Sequence, residues 1–220
     1  MALSINTSAT GGGSFEIIPI VKYDCRSGRM FKRDRANGEN VQTDITKSFK
    51  AVFDFENVEV GPINFNTGTA PDFHVVRLGE TIPTPPSPDH KQGVRLLIQL
   101  SKELGGDVRE LASTARAFLG GVDSLHNEYL AGAKANPGKL PVVSLEDSIP
   151  ITTGEGAKKS TNYSPSFKIV GWIPRPATLV WSPKSPARPA AAAPATPPAT
   201  GSQRVQNGLE EALADDDDFG

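Results

Sequence analysis

Two clusters in this 220-residue chain combine residue types that could do chemistry. The first is KYDCRSGRMFKRDR, residues 22–35. Lys22, Arg26, Arg29, Lys32, Arg33 and Arg35 stand there against Asp24 and Asp34, a local charge of +4, with Tyr23 and Phe31 set among the cations. Cations track a phosphate backbone, and aromatic faces accept bases at about 1–3 kcal/mol each. A single strand of nucleic acid needs both, and here they are neighbours. The competing arrangement is a solvated hairpin whose two rings point inward. The second cluster is residues 215–220, where Asp215, Asp216, Asp217 and Asp218 precede Phe219 and Gly220. Four adjacent carboxylates repel one another and stay solvated. Charges that steer and a ring that fills a pocket are the parts of a docking peptide. The competing reading is a solubilising acidic end.

Two smaller groups extend the first cluster. Lys47, Phe49 and Lys50 fall in one short segment, where strand alternation puts Lys47 and Phe49 on one face, so that Phe49 serves equally well as core. Lys158, Lys159, Tyr163, Phe167 and Lys168 lie in or beside a Gly/Ser-rich stretch read as a loop able to fold over a bound strand. Trp172 and Trp181 are assigned to the core, since aromatics dominate small cores.

The elements that must position these residues are mostly strands. Residues 15–23 are β-branched and aromatic, with Pro19 marking an edge or bulge. Residues 25–28 form a turn, 29–33 a return strand, and 34–40 a polar turn. Strands are expected over 46–55, 58–65 and 73–78. Four prolines make 81–89 a loop. Residues 93–100 read as a strand, favoured over a helix because Gly105 and Gly106 follow. A helix is expected over 113–133. Its apolar face is Leu119, Val122, Leu125, Tyr129 and Leu130, its middle is weakened by Gly120 and Gly121, and it is ended by Asn136, Pro137 and Gly138. Residues 140–145 and 167–173 close the domain, with a last apolar piece at 178–181. The fold class is mainly β: a Greek-key β-barrel like the oligonucleotide/oligosaccharide-binding (OB) fold, with one helical insertion, and a β-sandwich as the alternative.

Composition sets the domain plan. Residues 1–14 are a small, polar arm; 15–181 are one domain; 182–214 are a Pro/Ala-rich linker containing SPKSPARPAAAAPATPPAT; 215–220 are the tip. The P-x-x-P spacing would also suit an SH3-type ligand, but a spacer is the simpler reading. The net charge is −2, and residues 182–220 carry −3 of it, so the body is +1. Cys25 is the sole cysteine, which leaves no intrachain disulfide and fits a reducing compartment. The first residues lack a basic region followed by an apolar stretch, and no apolar run has membrane-spanning length. A soluble, cytoplasmic protein without a membrane partner is expected.

A folded body, a Pro/Ala linker and an acidic-aromatic tip together resemble bacterial and phage single-stranded DNA-binding proteins. Residues 163–176 (YSPSFKIVGWIPRP) also resemble the closing segment of phage-encoded members. There a Pro-x-Phe pattern leads to Gly-Trp and then Arg-Pro, and the segment LPVV at 140–143 fits the same pattern. The resemblance implies an OB-type core, sequence-independent binding of single-stranded DNA in phage replication or recombination, and no catalysis. It also implies a tail that recruits replication or recombination proteins and competes with DNA for the protein's own surface. Many members end on the aromatic itself; here Gly220 follows Phe219, which mismatches a pocket that reads the terminal carboxylate beside the ring. Self-association into a homo-oligomer stays open.

Enzyme chemistry finds little support, and no cofactor or metal is expected. His74, His90 and His126 are scattered, with no H-x-x-x-H pair and no neighbouring carboxylate at a spacing that builds a metal site. His90 in the proline-rich loop and His126 on the helix read as solvated. Cys25 lies between cations that would depress its pKa, but it has no sequence signature of a nucleophile. Pairs such as Asp54/Glu56 and Glu146/Asp147 read as surface charge. The rival to single-strand binding is a phage structural or assembly protein with a β-sandwich body.

Overall fold

The computed structural model describes residues 18–36, 38–66, 70–156 and 159–183. The linker beyond Pro183, the acidic tip (Asp215 to Phe219), Lys158 and the whole N-terminal arm lie outside the described residues. The strands in chain order are β1 (Ile20–Asp24), β2 (Arg29–Ala36), β3 (Glu39–Asp44), β4 (Lys50–Phe53), β5 (Glu59–Asn64), β6 (Asp72–Phe73), β7 (Val76–Arg77), β8 (Lys91–Leu100), β9 (Val108–Ser113), β10 (Lys139–Thr153) and β11 (Ser160–Pro174). The one α-helix among the described residues, α1 (Arg116–Ala133), comes between β9 and the final hairpin.

All the strands belong to one mixed sheet of order β11-β10-β4-β8-β9-β1-β2-β3. β1 and β9 run parallel; the other pairs are antiparallel. β8 is the branch point. Its first half pairs with β5, its second half with β4, and its other edge with β9. The sheet curls back on itself: the Tyr163 amide on β11 donates to the Cys25 carbonyl beyond β1 at 2.6 Å. Ser148 on β10 donates to the Gly28 carbonyl at 2.7 Å and accepts from the Tyr23 hydroxyl at 3.0 Å. The body is therefore mainly β and barrel-like with one inserted helix, as expected. Among the described residues no helix is long and apolar enough to cross a membrane.

Several elements differ from the sequence reading. The polar turn expected over 34–40 is narrower, and β3 follows it at once. β3 is exposed along its whole length, so its residues (ENVQTD) carry no apolar alternation; pairing with β2 makes it a strand. β9 was not expected either, because its central Arg109 and Glu110 are charged yet buried. The Gly/Ser-rich stretch taken for a loop is mostly strand. β10 and β11 pair from Lys139 with Pro174 out to Thr153 with Ser160, with register shifts at Val142/Val143 and Leu145/Asp147. Tyr163 is therefore a strand residue opposite Pro150, and only a short tip remains.

The core is an aromatic cluster. Phe53 lies within about ring-contact distance of Phe49, Phe55 and Phe167, at centroid separations of 6.2, 5.6 and 5.8 Å. Phe118 of α1 meets Phe167 at 6.3 Å and Tyr23 at 5.9 Å. α1 buries Phe118, Gly121, Val122, Leu125 and Tyr129, one helical face. Leu130, expected on that face, is exposed, and Leu119 is only partly covered. Trp172 is half-buried and stacks on Tyr129 at 5.7 Å. Trp181 lies under the Arg77 guanidinium, 4.1 Å from the ring centroid. His126 packs against Phe55 and Tyr129 instead of standing in solvent, and burial lowers its pKa against the pull of Asp123.

The paired helix glycines have different roles. A Cβ on Gly121 would meet the Pro165 carbonyl oxygen at 2.4 Å, so this glycine lets α1 approach β11. A Cβ on Gly120 meets nothing within 4 Å. Gly121→Ala is expected to destabilise the fold by about 1–3 kcal/mol through overpacking. Gly120→Ala is expected to stabilise it by up to about 1 kcal/mol through helix propensity. Urea denaturation of both variants reads the two signs.

Candidate nucleic-acid interface

Alternation along β1 and β2 decides which members of the basic cluster face outward. Tyr23 is opposite Met30 and Val21 opposite Lys32, so these four share the inner side. Lys22 is opposite Phe31, and Phe31 in turn is opposite Asp44 of β3. Arg29, Phe31, Arg33 and Arg35 are spaced by two along β2 and share the outer face with Lys22. Four exposed cations thus share the outer face of a three-stranded ribbon with one half-buried ring. Arg26, in the turn beyond β1, is exposed at the end of that ribbon.

The charges on this face are partly engaged. Arg29 pairs with Asp44 at 3.2 Å, and Arg33 Nε donates to Gln42 Oε1 at 3.2 Å. Burial lifts the Asp24 carboxyl, but the Arg26 amide, the Ser27 hydroxyl and the charges of Lys22 and Arg26 outweigh it and hold the pKa below its usual value. The Thr46 hydroxyl and amide do the same for Asp44, helped by Arg29. Two ionised carboxylates therefore stand among the four cations. Exposed pairs of this kind contribute little to stability and exchange readily for a phosphate.

Three expected contacts are corrected. Tyr23 is 4 % exposed and packs on Phe118; burial raises its pKa against the lowering by its bond to Ser148. It is a core residue, because its parity along β1 matches Val21 and not Lys22. Lys32 is turned inward as well. Its Nζ lies 3.4 Å from Asp34 and donates to the Leu104 carbonyl at 3.3 Å. Phe49 is buried against Phe53 and Phe167. Lys47 sits in an exposed turn before β4, so it shares no strand face with Phe49.

The third cluster is divided. Tyr163 is brought to the β1–β2 turn: a Cβ on Gly28 would lie 3.1 Å from its side chain. Lys159 is exposed at the tip of the β10–β11 hairpin, and Lys168 is exposed further along β11, paired with Glu146 at 3.2 Å. Cys25 is buried, and desolvation pushes its thiol up; the nearby cations do not turn it into a thiolate. The arrangement the sequence missed is elsewhere: His74 and His90 converge on Asp72, with His90 largely buried. Only the close pair Asp72 and His74 was available as a signal.

No family model, curated protein or solved structure matches the chain. The site is therefore read from its own geometry. Tyr23→Phe removes the hydroxyl that ties β1 to β10 and is expected to lower stability by about 1 kcal/mol. The same change should leave the outer face intact, so chemical denaturation should shift while any ligand affinity of that face does not.

Proposed function

We propose that this protein binds single-stranded DNA without sequence readout, across the outer face of β1, β2 and β3, and works in phage DNA replication or recombination. The observation that carries the reading is the register that gathers Lys22, Arg29, Arg33 and Arg35 around Phe31 on an open face. Mobile cations on exposed side chains suit a flexible phosphate backbone, and a ring flanked by guanidinium groups suits a stacked base. The ribbon reads no base edges in a duplex groove, so preference for single strands follows from the need to lay a free base face on Phe31. Tyr163 and Lys159, on the hairpin that abuts the β1–β2 turn, extend the path for a strand. The acidic-aromatic residues 215–219 then recruit partner proteins and compete with DNA for the cationic face.

Fluorescence anisotropy of a labelled poly-dT oligonucleotide, with duplex DNA as competitor, tests the proposal. Binding should weaken linearly in log salt, with a slope of about −0.7 per phosphate neutralised. Phe31→Ala should lower affinity by roughly tenfold, within the range for one stacked base. The triple change of Arg29, Arg33 and Arg35 to Ala should weaken binding and flatten the salt slope. The same loss of charge at the exposed Lys102, Lys134 and Lys139 should not. Deleting residues 201–220 should tighten binding at low salt. No binding at micromolar protein and low salt would sink the proposal and put the assembly-component reading first.

A further inference from the structure

The edge of the barrel away from the basic ribbon's own strands holds a second constellation. Asp72 and His74 are two residues apart in an extended segment, so their side chains leave one side of it. Phe73 between them goes the other way, buried edge-on against Phe65 at 5.8 Å. The segment is pinned by Ile63 and Asn64 of β5, and the His74 amide donates to the Pro62 carbonyl at 2.9 Å. His90 arrives from the end of the proline-rich loop. It directly precedes Lys91, which pairs with the same Ile63. Strand register on both sides of β5 thus delivers His90 to Asp72.

The geometry is that of a ligand set. Nε2 of His74 and Nε2 of His90 lie 3.2 and 3.1 Å from the Asp72 carboxylate. The three donor atoms are all within 4.8 Å of one another. The two rings are nearly perpendicular, at 77°, with centroids 5.3 Å apart. His90 is only 5 % exposed at its side chain, and its other nitrogen, Nδ1, sits 2.9 Å from Ser87 Oγ. That is the second contact by which a metal-bound imidazole is oriented. Asp72 Oδ1 is buried, accepts no hydrogen bond and lies 3.2 Å from His74 Nε2. Zinc–nitrogen and zinc–oxygen bonds at tetrahedral angles separate neighbouring donors by about 3.3 Å. The observed nitrogen–oxygen spacings are that separation with almost no opening required.

We infer that Asp72, His74 and His90 form a binding site for a divalent transition metal of the zinc class. Two imidazoles and one carboxylate suit zinc and its first-row neighbours and disfavour magnesium and calcium, which take oxygen donors. Three protein ligands leave one coordination position for water. The ion replaces the protons that otherwise sit between the imidazoles and the carboxylate, and the Ser87 hydroxyl then accepts from His90 Nδ1. Its structural consequence is a clip that closes the chain between residues 72 and 90 and fixes the proline-rich loop onto β5.

The full chain, freed of metal by a chelator, is titrated with Zn²⁺ by calorimetry and with Co²⁺ by visible absorption. The expected result is one ion per chain, a Co²⁺ spectrum of tetrahedral nitrogen-containing coordination, and a Tm that rises with Zn²⁺ and returns with chelator. His74→Ala and His90→Ala should abolish saturable binding, and Ser87→Ala should weaken it by about tenfold. Should either histidine variant fail to fold, the near-isosteric Asp72→Asn serves the same purpose. The carboxylates of residues 215–218 remain in every variant, so weak cation binding by them appears as an unchanged, all-oxygen background. Absence of saturable Zn²⁺ binding at micromolar concentrations overturns the inference, as does full retention of binding in Asp72→Asn or in the histidine variants.

Discussion

A guanidinium inside the sheet organises this fold. Arg95 stands at the branch of β8, 1 % exposed, and its charge is met by Glu59 on β5 and by Glu110 on β9 at 2.8 Å. A buried ion without partners is intolerable, and removing one partner of such a set typically costs about 3–5 kcal/mol. Arg95 must therefore have one carboxylate on each side. That requirement fixes β5 and β9 on opposite edges of β8 at a single register. The same guanidinium donates to the Ser182 carbonyl at 3.2 Å, which holds the last described stretch of the body against the branch.

The device recurs. Arg109 on β9 reaches Asp34 on β2 and Asp107 at 2.7 Å, joining strands that are not neighbours in sequence. Arg175 bonds Asp54 at 2.6 Å and Glu56 at 2.8 Å, and accepts no competition from water on the Asp54 side, where the carboxylate is fully buried. Those carboxylates hold Arg175 in its charged form, its pKa raised first by Asp54. The pair Asp54/Glu56, read from the sequence as surface charge, is here part of the scaffold, while Glu146 and Asp147 are exposed as that reading expected. Arginines 95, 109 and 175 are engaged by carboxylates within the body, whereas Lys22, Arg29, Arg33 and Arg35 stand exposed on the outer side of the β1–β3 ribbon.

That division explains why the β1–β3 ribbon and the histidine cluster are separate features. The ribbon is open because β3 is an edge strand, exposed on both sides, which leaves the cations exposed and Phe31 half-buried among them. The histidine cluster is half-buried, with His90 the most covered, because β6 folds back on β5 and the proline-rich loop ends beside it. One surface offers exchangeable charge and a ring face. The other offers directed lone pairs.

The sequence by itself determined the features that local pattern encodes. α1 follows from 3.6-residue spacing, the turn at 25–28 and the strand at 93–100 from their flanking punctuation, and the distinct character of residues 182–220 from composition. It also placed cations and aromatics together in residues 22–35. Tertiary structure decided which of them are presented. Tyr23 and Phe31 are equivalent in the sequence, yet the parity of β1 against β2 sends one ring onto Phe118 and leaves the other outside. β3 and β9 carry no apolar alternation, because one is exposed on both faces and the other buries charges that only distant partners neutralise. His74 and His90 meet because both flank strands that pair with β5, a coincidence of register that no spacing along the chain records. Local periodicity is set by each residue's own backbone; the company a side chain keeps is set by pairings between segments far apart in sequence, and those are fixed only when the whole sheet closes.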